Sequence, residues 1–289
     1  MTKETSPVMV TIRCATYNQE GYIRDCLEGF IMQKTNFRFE AIVHDDASTD
    51  GTAEIVKEYA KKYPDIIKPI LETENQYSKH DGSLGRIMDE HTHGKYIAIC
   101  EGDDYWTDPL KLQKQVDLME DHPEYSFCFH SAQELMPNGS LIKRKHPQII
   151  KPYYTMSDLI PIGGTFAATN SILYRWKYIE EGGRPPFWEH ASIGDLPMML
   201  FLATKGKIGY INQIMAVHRF QAKGSWTVSH NRSILKKWNH YKNIKRMYDE
   251  FDIYTKRHYH NLITQKKKNI FKHTAKSIIG IILHFRWIK

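Results

Sequence analysis

Cysteine and long apolar runs are both scarce in this chain. Its 289 residues include four cysteines, and their spacing matches no common metal-binding pattern. Three of them lie in or beside apolar runs, where reduced thiols pack as small hydrophobic side chains, so the sequence requires no oxidising compartment. No stretch approaches the roughly 18 apolar residues of a membrane span, and the polar segment 1–7 lacks a hydrophobic signal sequence. We therefore predict a cytoplasmic protein.

Two further patterns are missing. The sequence has no glycine-rich phosphate loop of the usual kind, which argues against a nucleotidyl- or phosphotransferase built around one. Histidine is plentiful, with 15 residues. However, His91 and His93, like His258 and His260, are two residues apart, and ligands on one helix face need a spacing of three or four. We interpret these histidines as solvated surface residues rather than as a zinc site.

Acidic residues are scarce at the C-terminal end. The net charge of the chain is +7, but residues 230–289 contain 15 Lys and Arg against 3 acidic residues, a net charge of +12, which leaves −5 for residues 1–229. A mildly acidic body argues against a nucleic-acid-binding core. The basic tail predicts an anionic partner or surface.

The order of apolar segments predicts an α/β fold. With 41% hydrophobic residues the chain can bury a substantial core. Its periodicity predicts buried strands at 8–15, 39–44 and 96–100, and amphipathic helices at 22–33, 52–63 and 109–121. Strands that alternate with helices favour a doubly wound, mostly parallel central sheet with helices on both faces.

The second half is less regular. We expect a strand in the apolar run that follows Gly163 and ends at Tyr174, and a helix from Asp195 through Lys205. Short strands are predicted at 208–211 and 215–220. From about residue 229 the pattern is long, basic and helical, so we predict a C-terminal basic helical extension at 229–289.

Polar segments follow three of the predicted strands. They are Thr16–Glu20, Asp45–Thr52 and Glu101–Asp104. Ligands bind beyond the carboxyl ends of strands in such sheets, so we expect all three segments to meet at one edge. Glu101, Asp103 and Asp104 directly follow an apolar run, and such carboxylates suit Mg²⁺ or Mn²⁺ shared with substrate phosphates. The alternative is a solvated acidic turn.

Four segments, in this order and spacing, resemble inverting glycosyltransferases of family 2. They are Ala15-Thr16-Tyr17-Asn18, Asp45-Asp46-x-Ser48-x-Asp50-Gly51-Thr52, Gly94-Lys95-Tyr96-Ile97 leading to Glu101-Gly102-Asp103-Asp104, and Gly194-Asp195. The resemblance covers about residues 8–226. It implies a Rossmann-like GT-A domain at 1–228, with a nucleotide-sugar half at about 1–135 and an acceptor half at about 136–228.

The resemblance also implies roles for the acidic residues. Asp103 would hold a divalent ion, Mn²⁺ or Mg²⁺, on the donor diphosphate. Glu101 stands at the first position of the family's D-x-D motif, where Asp is usual, and Gly102 and Asp104 complete the segment. Asp195 matches the general base that takes the proton from the acceptor hydroxyl. Its alternative role is to cap the helix that follows.

For the nucleobase, the resemblance implies that Tyr17 lies against uracil and that the Asp46 carboxylate accepts from the imino N–H. Ala15, Thr16 and Glu20 belong to the adjacent strand-end segment. The alternatives are that Tyr17 is a surface aromatic residue and that Asp46 is a turn former.

Basic residues and turn residues add further candidates. Arg86 precedes the Gly94 segment, near where the family often has a basic residue, and is a candidate for the diphosphate. Arg219, in a segment that resembles the family's Tyr-Arg-x-His with Gln221 in place of the histidine, is another. Ser48 or Asp50 is expected to cap the next helix.

Aromatic and basic residues elsewhere leave alternatives open. Trp106, Trp188 and Trp226 flank the predicted cleft in sequence and suit either sugar stacking or the core. In the tail, lysines precede the apolar run 278–285 and Trp287. A basic helix with an apolar face suits an anionic bilayer. The alternative is that this apolar face packs on the body.

The predicted function is transfer of a sugar, with inversion, from a nucleotide-sugar to a saccharide or lipid-linked saccharide acceptor. The resemblance implies a UDP-sugar donor and a role in bacterial surface polysaccharide synthesis, such as capsule, O-antigen or exopolysaccharide. We expect no nucleic-acid partner, and a peripheral location on the inner face of the plasma membrane. The alternative is a catalytically silent nucleotide-sugar-binding or scaffolding protein, which the departures Glu101, Gly194 and Gln221 keep open.

Overall fold

The computed structural model describes residues 6–144, 147–189, 191, 193–222 and 233–286. The first half alternates strands and helices, as predicted. Its elements are β1 (Val8–Thr16), α1 (Ile23–Ile31), β2 (Arg38–Asp45), α2 (Thr52–Lys62), β3 (Ile67–Leu71), α3 (Ser83–Glu90), β4 (Tyr96–Ile99), β5 (Tyr105–Trp106), α4 (Lys111–Asp121) and β6 (Tyr125–Leu135).

The second half is more helical. Its elements are β7 (Leu141–Lys143), α5 (Met156–Ile162), β8 (Leu173–Arg175), α6 (Lys177–Glu180), α7 (Pro186–Glu189), α8 (Asp195–Ala203), β9 (Lys207–Arg219), α9 (Ile234–Tyr254) and α10 (His260–Arg286). Within the described ranges, none of the helices combines the length and the apolar content that crossing a membrane requires.

One sheet contains all nine strands of the described residues. Eight of them follow the order β3-β2-β1-β4-β8-β6-β9-β5, and β7 pairs with β6. Strands β3, β2, β1 and β4 run parallel to one another, and so do β6 and β9. Strand β8 runs antiparallel to its neighbours β4 and β6 and joins the two halves. The predicted α/β fold with a mostly parallel central sheet is confirmed.

The structure differs from the predicted strands in the second half. The run that ends at Tyr174 is preceded by one 3₁₀ turn (Gly163–Thr165), contains a second (Thr169–Ser171) and contributes only β8. The second turn is pinned because the Asn170 side chain donates to the Val217 carbonyl and Trp106 donates to the Asn170 carbonyl, each at 2.9 Å. The two short strands expected at 208–211 and 215–220 form one strand, β9. Its pairing with β6 skips Asn212 and Gln213.

Two hydrophobic clusters fill the space around the sheet. The first packs α1, α2 and α4 on β1, β2 and β4, with Phe30 and Trp106 in edge-to-face contact at 5.0 Å. The second surrounds β6 and β8 and contains α5, α8 and part of the C-terminal region. From α9 it includes Ile244, Met247, Tyr248 and Phe251. The alternative in which the tail packs an apolar face on the body therefore holds for this part of α9.

Candidate functional site

The three polar segments meet at one edge of the sheet, as their positions after β1, β2 and β4 predict. The backbone N–H of Asp46 donates to the Thr16 carbonyl at 3.0 Å, and that of Gly102 donates to the Ala15 carbonyl at 3.1 Å. A Cβ atom at Gly102 would lie 2.7 Å from Thr16 Oγ1 and 2.5 Å from Gln19 Oε1. Such distances are closer than van der Waals contact allows, so glycine is required where β1 and β4 end side by side.

Carboxylates are concentrated after β4. Asp103 is buried, and burial together with the negative charge of Asp104 raises its pKa to about 6. The Glu101 side chain reaches solvent, yet protein surrounds it closely enough that desolvation is the main cause raising its pKa to about 8. The charges of Asp103, Asp104 and Asp195 add to this rise. The cluster therefore has more negative charge than its cationic neighbours neutralise.

Asp104 ties this cluster to β9. Its carboxylate accepts from His218 Nδ1 at 3.1 Å and from the backbone N–H of Arg219 at 2.9 Å. Desolvation alone would lower the pKa of His218, but the hydrogen bond and charge of Asp104 outweigh it and raise this pKa. Asp104 therefore stabilises the position of the acidic segment, because the two groups that donate hydrogen bonds to it, the His218 imidazole and the Arg219 backbone N–H, both belong to β9.

Arg219 has a structural partner. Its guanidinium pairs with Asp25 of α1 and lies over the rings of Tyr22, at 5.2 Å, and Tyr105, at 4.9 Å. These contacts fix the side chain between α1 and β5. The predicted contact of Arg219 with phosphate stays a prediction.

Asp195 is the first residue of α8. Burial raises its pKa, while hydrogen bonds from the Leu196 backbone and the Thr169 side chain and the charge of Arg144 act in the opposite direction. The distance from the Leu196 nitrogen to the Asp195 carboxylate is 2.7 Å. Asp195 is the first helical residue, and Gly194 takes the cap position, so the helix contains Asp195 instead of starting after it. The charge of Asp195 contributes to the raised pKa of Glu101, so the two carboxylates lie within electrostatic range of each other.

Sequence reasoning missed Arg144, which follows β7. Its guanidinium lies 3.8 Å from Glu134 Oε1 and 3.5 Å from the Thr165 carbonyl. Burial lowers its pKa, and the charges of Glu134, Asp104 and Asp195 oppose this. Arg144 is therefore within electrostatic range of both Asp104 and Asp195. No signal in the sequence marks it, because it stands in a Lys- and Arg-rich stretch that reads as a solvated loop.

Asp46 and Tyr77 organise the other side of the edge. Asp46 is buried, and its two carboxylate oxygens accept from the backbone N–H groups of Gln76, at 2.6 Å, and Tyr77, at 3.0 Å. Burial and the charge of Glu101 raise the pKa of the Tyr77 hydroxyl, so this ring lies on the same side as the acidic cluster. Tyr17 is exposed beyond the end of β1. Sequence reasoning missed Tyr77 because its loop reads as polar and irregular.

Other predicted residues hold the start of α2. Glu20 accepts from the Gly51 backbone N–H at 2.9 Å. Asp50 accepts from the Thr52 backbone N–H at 3.0 Å, so Asp50 meets the first helical amide, whereas Ser48 donates to Asp45 instead. These contacts position the segment beside Tyr17.

Four predicted residues lie outside the acidic cluster or outside the described residues. Arg86 is exposed on α3, where it donates to the Asp81 carbonyl at 2.6 Å and pairs with the Asp81 side chain. Trp106 is buried in the core, and Lys111 lies over its ring at 3.8 Å. Trp188 packs on Phe201. Trp226 lies outside the described residues.

The residues after β4 fit a divalent ion that arrives with phosphate. Within the described part of the chain, no three His, Cys, Asp or Glu side chains are arranged to enclose a metal ion. Mg²⁺ and Mn²⁺ in phosphate-transfer sites are held by one or two carboxylates plus substrate oxygens, so a complete protein cage is not expected. The raised pKa values of Glu101 and Asp103 show that added positive charge would be stabilised there.

Two curated proteins are similar to this chain in sequence. Rv1520, an uncharacterized protein of Mycobacterium tuberculosis (strain ATCC 25618 / H37Rv), is 37% identical over 223 residues, which are 75% of this chain and 60% of the relative. TuaG of Bacillus subtilis (strain 168), by its name a candidate glycosyltransferase of teichuronic acid biosynthesis, is 31% identical over 124 residues, covering 43% of this chain and 47% of TuaG. The chain thus spans about 60% of the length of the first of these relatives.

A solved structure and a family model both match this chain. The crystal structure of S. aureus TarS in complex with UDP-GlcNAc superposes with a TM-score of 0.63 at 18% identity, covering 84% of this chain and 66% of that chain. This likeness confirms the GT-A fold, and the C-terminal helices are compatible with it. The family model described as "Glycosyl transferase family 2" matches residues 11–183. More than half of the chain is matched, and the chain therefore belongs to glycosyltransferase family 2.

Proposed function

We propose that this chain transfers a sugar, with inversion, from a UDP-sugar to a saccharide or lipid-linked saccharide acceptor in bacterial surface polysaccharide synthesis. The observation that carries the proposal is that Glu101 and Asp103 follow β4, Asp195 begins α8, and the two segments are close enough for the charge of Asp195 to raise the pKa of Glu101. In the proposed reaction, Glu101 and Asp103 act on the sugar donor, and Asp195 acts on the acceptor. The UDP-GlcNAc bound to TarS and the biosynthetic role in the name of TuaG support the donor and pathway class.

In this proposal the donor diphosphate would lie after β4. Asp103, with Mn²⁺ or Mg²⁺, would hold it, and the ion would neutralise the charge that develops on the departing UDP. Glu101 would contact the ribose or a water molecule of the ion. Gly102 permits close approach of this backbone to β1, so that the donor lies between Tyr17 and the acidic cluster.

The base would be recognised at the ends of β1 and β2. Each Asp46 oxygen accepts one backbone N–H and keeps a lone pair, so the carboxylate retains capacity for the imino N–H of uracil. Tyr17 supplies an exposed ring for stacking, and Ala15 and Thr16 form the strand end beneath it. Tyr77 is a second ring near the donor.

Asp195 would act as the general base. Its carboxylate accepts the proton of the acceptor hydroxyl as that oxygen attacks the anomeric carbon from the face opposite the UDP. The bond from the sugar to the diphosphate breaks as the new glycosidic bond forms. The backbone N–H of Leu196 fixes the orientation of the carboxylate, and Arg144 favours its ionised form.

An acceptor attached to lipid would place the reaction at the inner face of the plasma membrane, which agrees with the basic C-terminal region. The second candidate function is a silent nucleotide-sugar-binding or scaffolding protein. The specific observation in its favour is the departure of Glu101 and Gly194 from the carboxylates usual in the family. In such a protein the donor would bind without being consumed.

The test compares binding with turnover. Thermal unfolding is measured with UDP, GDP, CMP and several UDP-sugars, each with and without Mn²⁺, and UDP release is then followed with the sugar that stabilises the protein. We expect metal-dependent stabilisation by a UDP-sugar. Asp103→Asn should remove this stabilisation, whereas Asp195→Asn should keep it and lower turnover by about 10²–10⁴-fold.

Asp65→Asn, an exposed change in the loop before β3, is the matched control and should leave both readouts unchanged. Stabilisation without any UDP release would support the silent binding protein. Turnover of both the Asp103 and the Asp195 variants at the rate of the unchanged chain would refute the site.

A further inference from the structure

The two C-terminal helices form an antiparallel hairpin. Lys267 of α10 pairs with Asp249 of α9 at 2.5 Å, and the ring of Phe271 lies 5.7 Å from that of Tyr241. As residue numbers rise along α10, its partners on α9 therefore fall in number. The second half of α10 lies beside the first half of α9, at the far end of the hairpin.

The near end of this hairpin is fixed to the body. Tyr248 and Phe251 of α9 and Ile263 of α10 are buried in the second hydrophobic cluster. Lys266 donates to the carbonyl groups of Pro161 and Ile162, at 3.0 and 2.8 Å, where α5 ends. These contacts attach this end of the hairpin to the rest of the protein.

The far end exposes its apolar side chains. Leu235 is 68% exposed, Phe271 is 47% exposed and Ile279 is 55% exposed. Trp238 is 37% exposed, and its ring lies 5.2 Å from that of Tyr241. We call these five side chains the aromatic face.

Lysines border the aromatic face. Lys268, Lys272 and Lys276 are exposed on α10 and recur every four residues, so they form one stripe along the helix. Ile279, three residues beyond Lys276, continues this stripe. The helix therefore presents cationic groups and apolar groups on the same side.

We propose that the aromatic face and its lysine stripe lie on the surface of an anionic phospholipid membrane. Apolar and aromatic side chains of an interfacial helix enter the boundary between head groups and acyl chains, and lysines pair with the anionic head groups. The inference deepens the proposed function by naming the surface that contacts the membrane. It rests on the proposed function only for the reason to bind a membrane, which is access to a lipid-linked acceptor.

Charge distinguishes a membrane from a second copy of the chain. Residues 233–286 contain 13 Lys and Arg against 3 acidic residues, a net charge of +10. Two such hairpins would repel each other on approach, whereas each lysine near an anionic bilayer strengthens binding by about five-fold. The helix that carries the stripe does not span, in agreement with a surface position.

The experiment is flotation of the full chain with vesicles of phosphatidylcholine alone and of phosphatidylcholine mixed with phosphatidylglycerol. We expect binding to the anionic vesicles and its loss in high salt. Lys272→Glu with Lys276→Glu should weaken binding at least ten-fold. Leu235→Ser with Phe271→Ser should weaken it as well, because less apolar surface enters the bilayer.

Matched controls keep the number and kind of changes constant. Lys61→Glu with Lys62→Glu alters the charge of α2 by the same amount, and Ile149→Ser with Ile150→Ser removes two apolar side chains outside the hairpin that are 69% and 60% exposed. Both controls should float as the unchanged chain does. Thermal unfolding of every variant checks that the fold is intact.

Three outcomes would overturn the inference. They are no flotation with anionic vesicles, equal flotation of all variants, and a stable dimer that the Leu235 and Phe271 changes dissociate, measured by light scattering. UDP release in the absence of vesicles reports separately on the proposed function. The membrane inference therefore fails or stands independently of catalysis.

Discussion

Asp104 accepts a hydrogen bond from the side chain of His218 and another from the backbone N–H of the next residue, Arg219. One buried carboxylate thus joins the acidic segment after β4 to the end of β9. The two strands are far apart in sequence, so this contact determines how the acidic segment after β4 packs against β9.

Removal of this carboxylate should be costly. Asp104→Ala leaves a half-buried imidazole and a backbone N–H without their acceptor, and we expect the free energy of unfolding to fall by about 1–3 kcal/mol. Urea denaturation measures the loss. Asp25→Ala, which removes the exposed carboxylate paired with Arg219, is the matched control and should cost no more than about 1 kcal/mol. Equal costs for both variants would contradict the assignment.

Arg144 should control the pH dependence of turnover. Its charge lowers the pKa of Asp195, so Arg144→Gln should raise that pKa. A base acts only when ionised, and the acidic limb of kcat should therefore move to higher pH by about one unit. Arg144→Lys should restore most of the original profile, because it keeps the charge.

The neighbouring Lys143, which is exposed on β7, supplies the control. Lys143→Gln should leave the acidic limb in place. A reduced rate with an unshifted limb in Arg144→Gln would mean that Arg144 acts on structure rather than on the base.

Metal-free protein should lose stability as pH rises. The folded-state pKa values of Asp103, about 6, and Glu101, about 8, exceed the values near 4 of an unfolded chain. The folded form therefore binds more protons, and their contribution to stability is lost between about pH 4 and pH 8.

Mn²⁺ requires ionised carboxylates, so the stabilisation it gives should increase over the same pH range. Thermal unfolding with and without Mn²⁺ across this range measures both effects. Asp103→Asn should flatten the difference between the two curves. A Mn²⁺ effect that is greatest at the acidic end would exclude these ligands.

Gly102 should tolerate no side chain. The Cβ atom of Gly102→Ala would collide with Thr16 and Gln19, and we expect about 1–3 kcal/mol of destabilisation together with weaker donor binding. Gly194→Ala is the control, because a Cβ atom there meets nothing within 4 Å. Urea denaturation and UDP-dependent thermal shifts report on both variants. Similar losses in the two would show that the close approach of β1 and β4 is not limiting.

The sequence alone predicted that the polar segments after β1, β2 and β4 meet at one edge of the sheet. Apolar runs that end in polar residues mark β1, β2 and β4, because buried parallel strands carry few polar side chains. The positions of Glu101, Asp103 and Asp46 follow from those strand ends. Periodicity also predicted α8 and hence the place of Asp195, although a cap position and a first helical residue look alike in sequence.

The remaining features depend on contacts between distant segments. Arg144 reaches the site because β7 folds back on β6, and Tyr77 because Asp46 holds its backbone. Asp50, expected to cap the next helix, accepts from the Thr52 backbone N–H, and Glu20, predicted as a site residue, accepts from the Gly51 backbone N–H just before α2. The strand expected before Tyr174 gives way to turns, since tertiary hydrogen bonds to Asn170 outweigh local β propensity.

The contact of Lys266 with the last carbonyls of α5 has a consequence for protein engineering. The cation closes α5 at Gly163, which has a positive φ of 75°. A chain that stops before α10 would uncover this helix end and empty the place of Ile263 in the core. The C-terminal region is therefore not an interchangeable module, and a chimera that exchanges it must bring its own cap for α5.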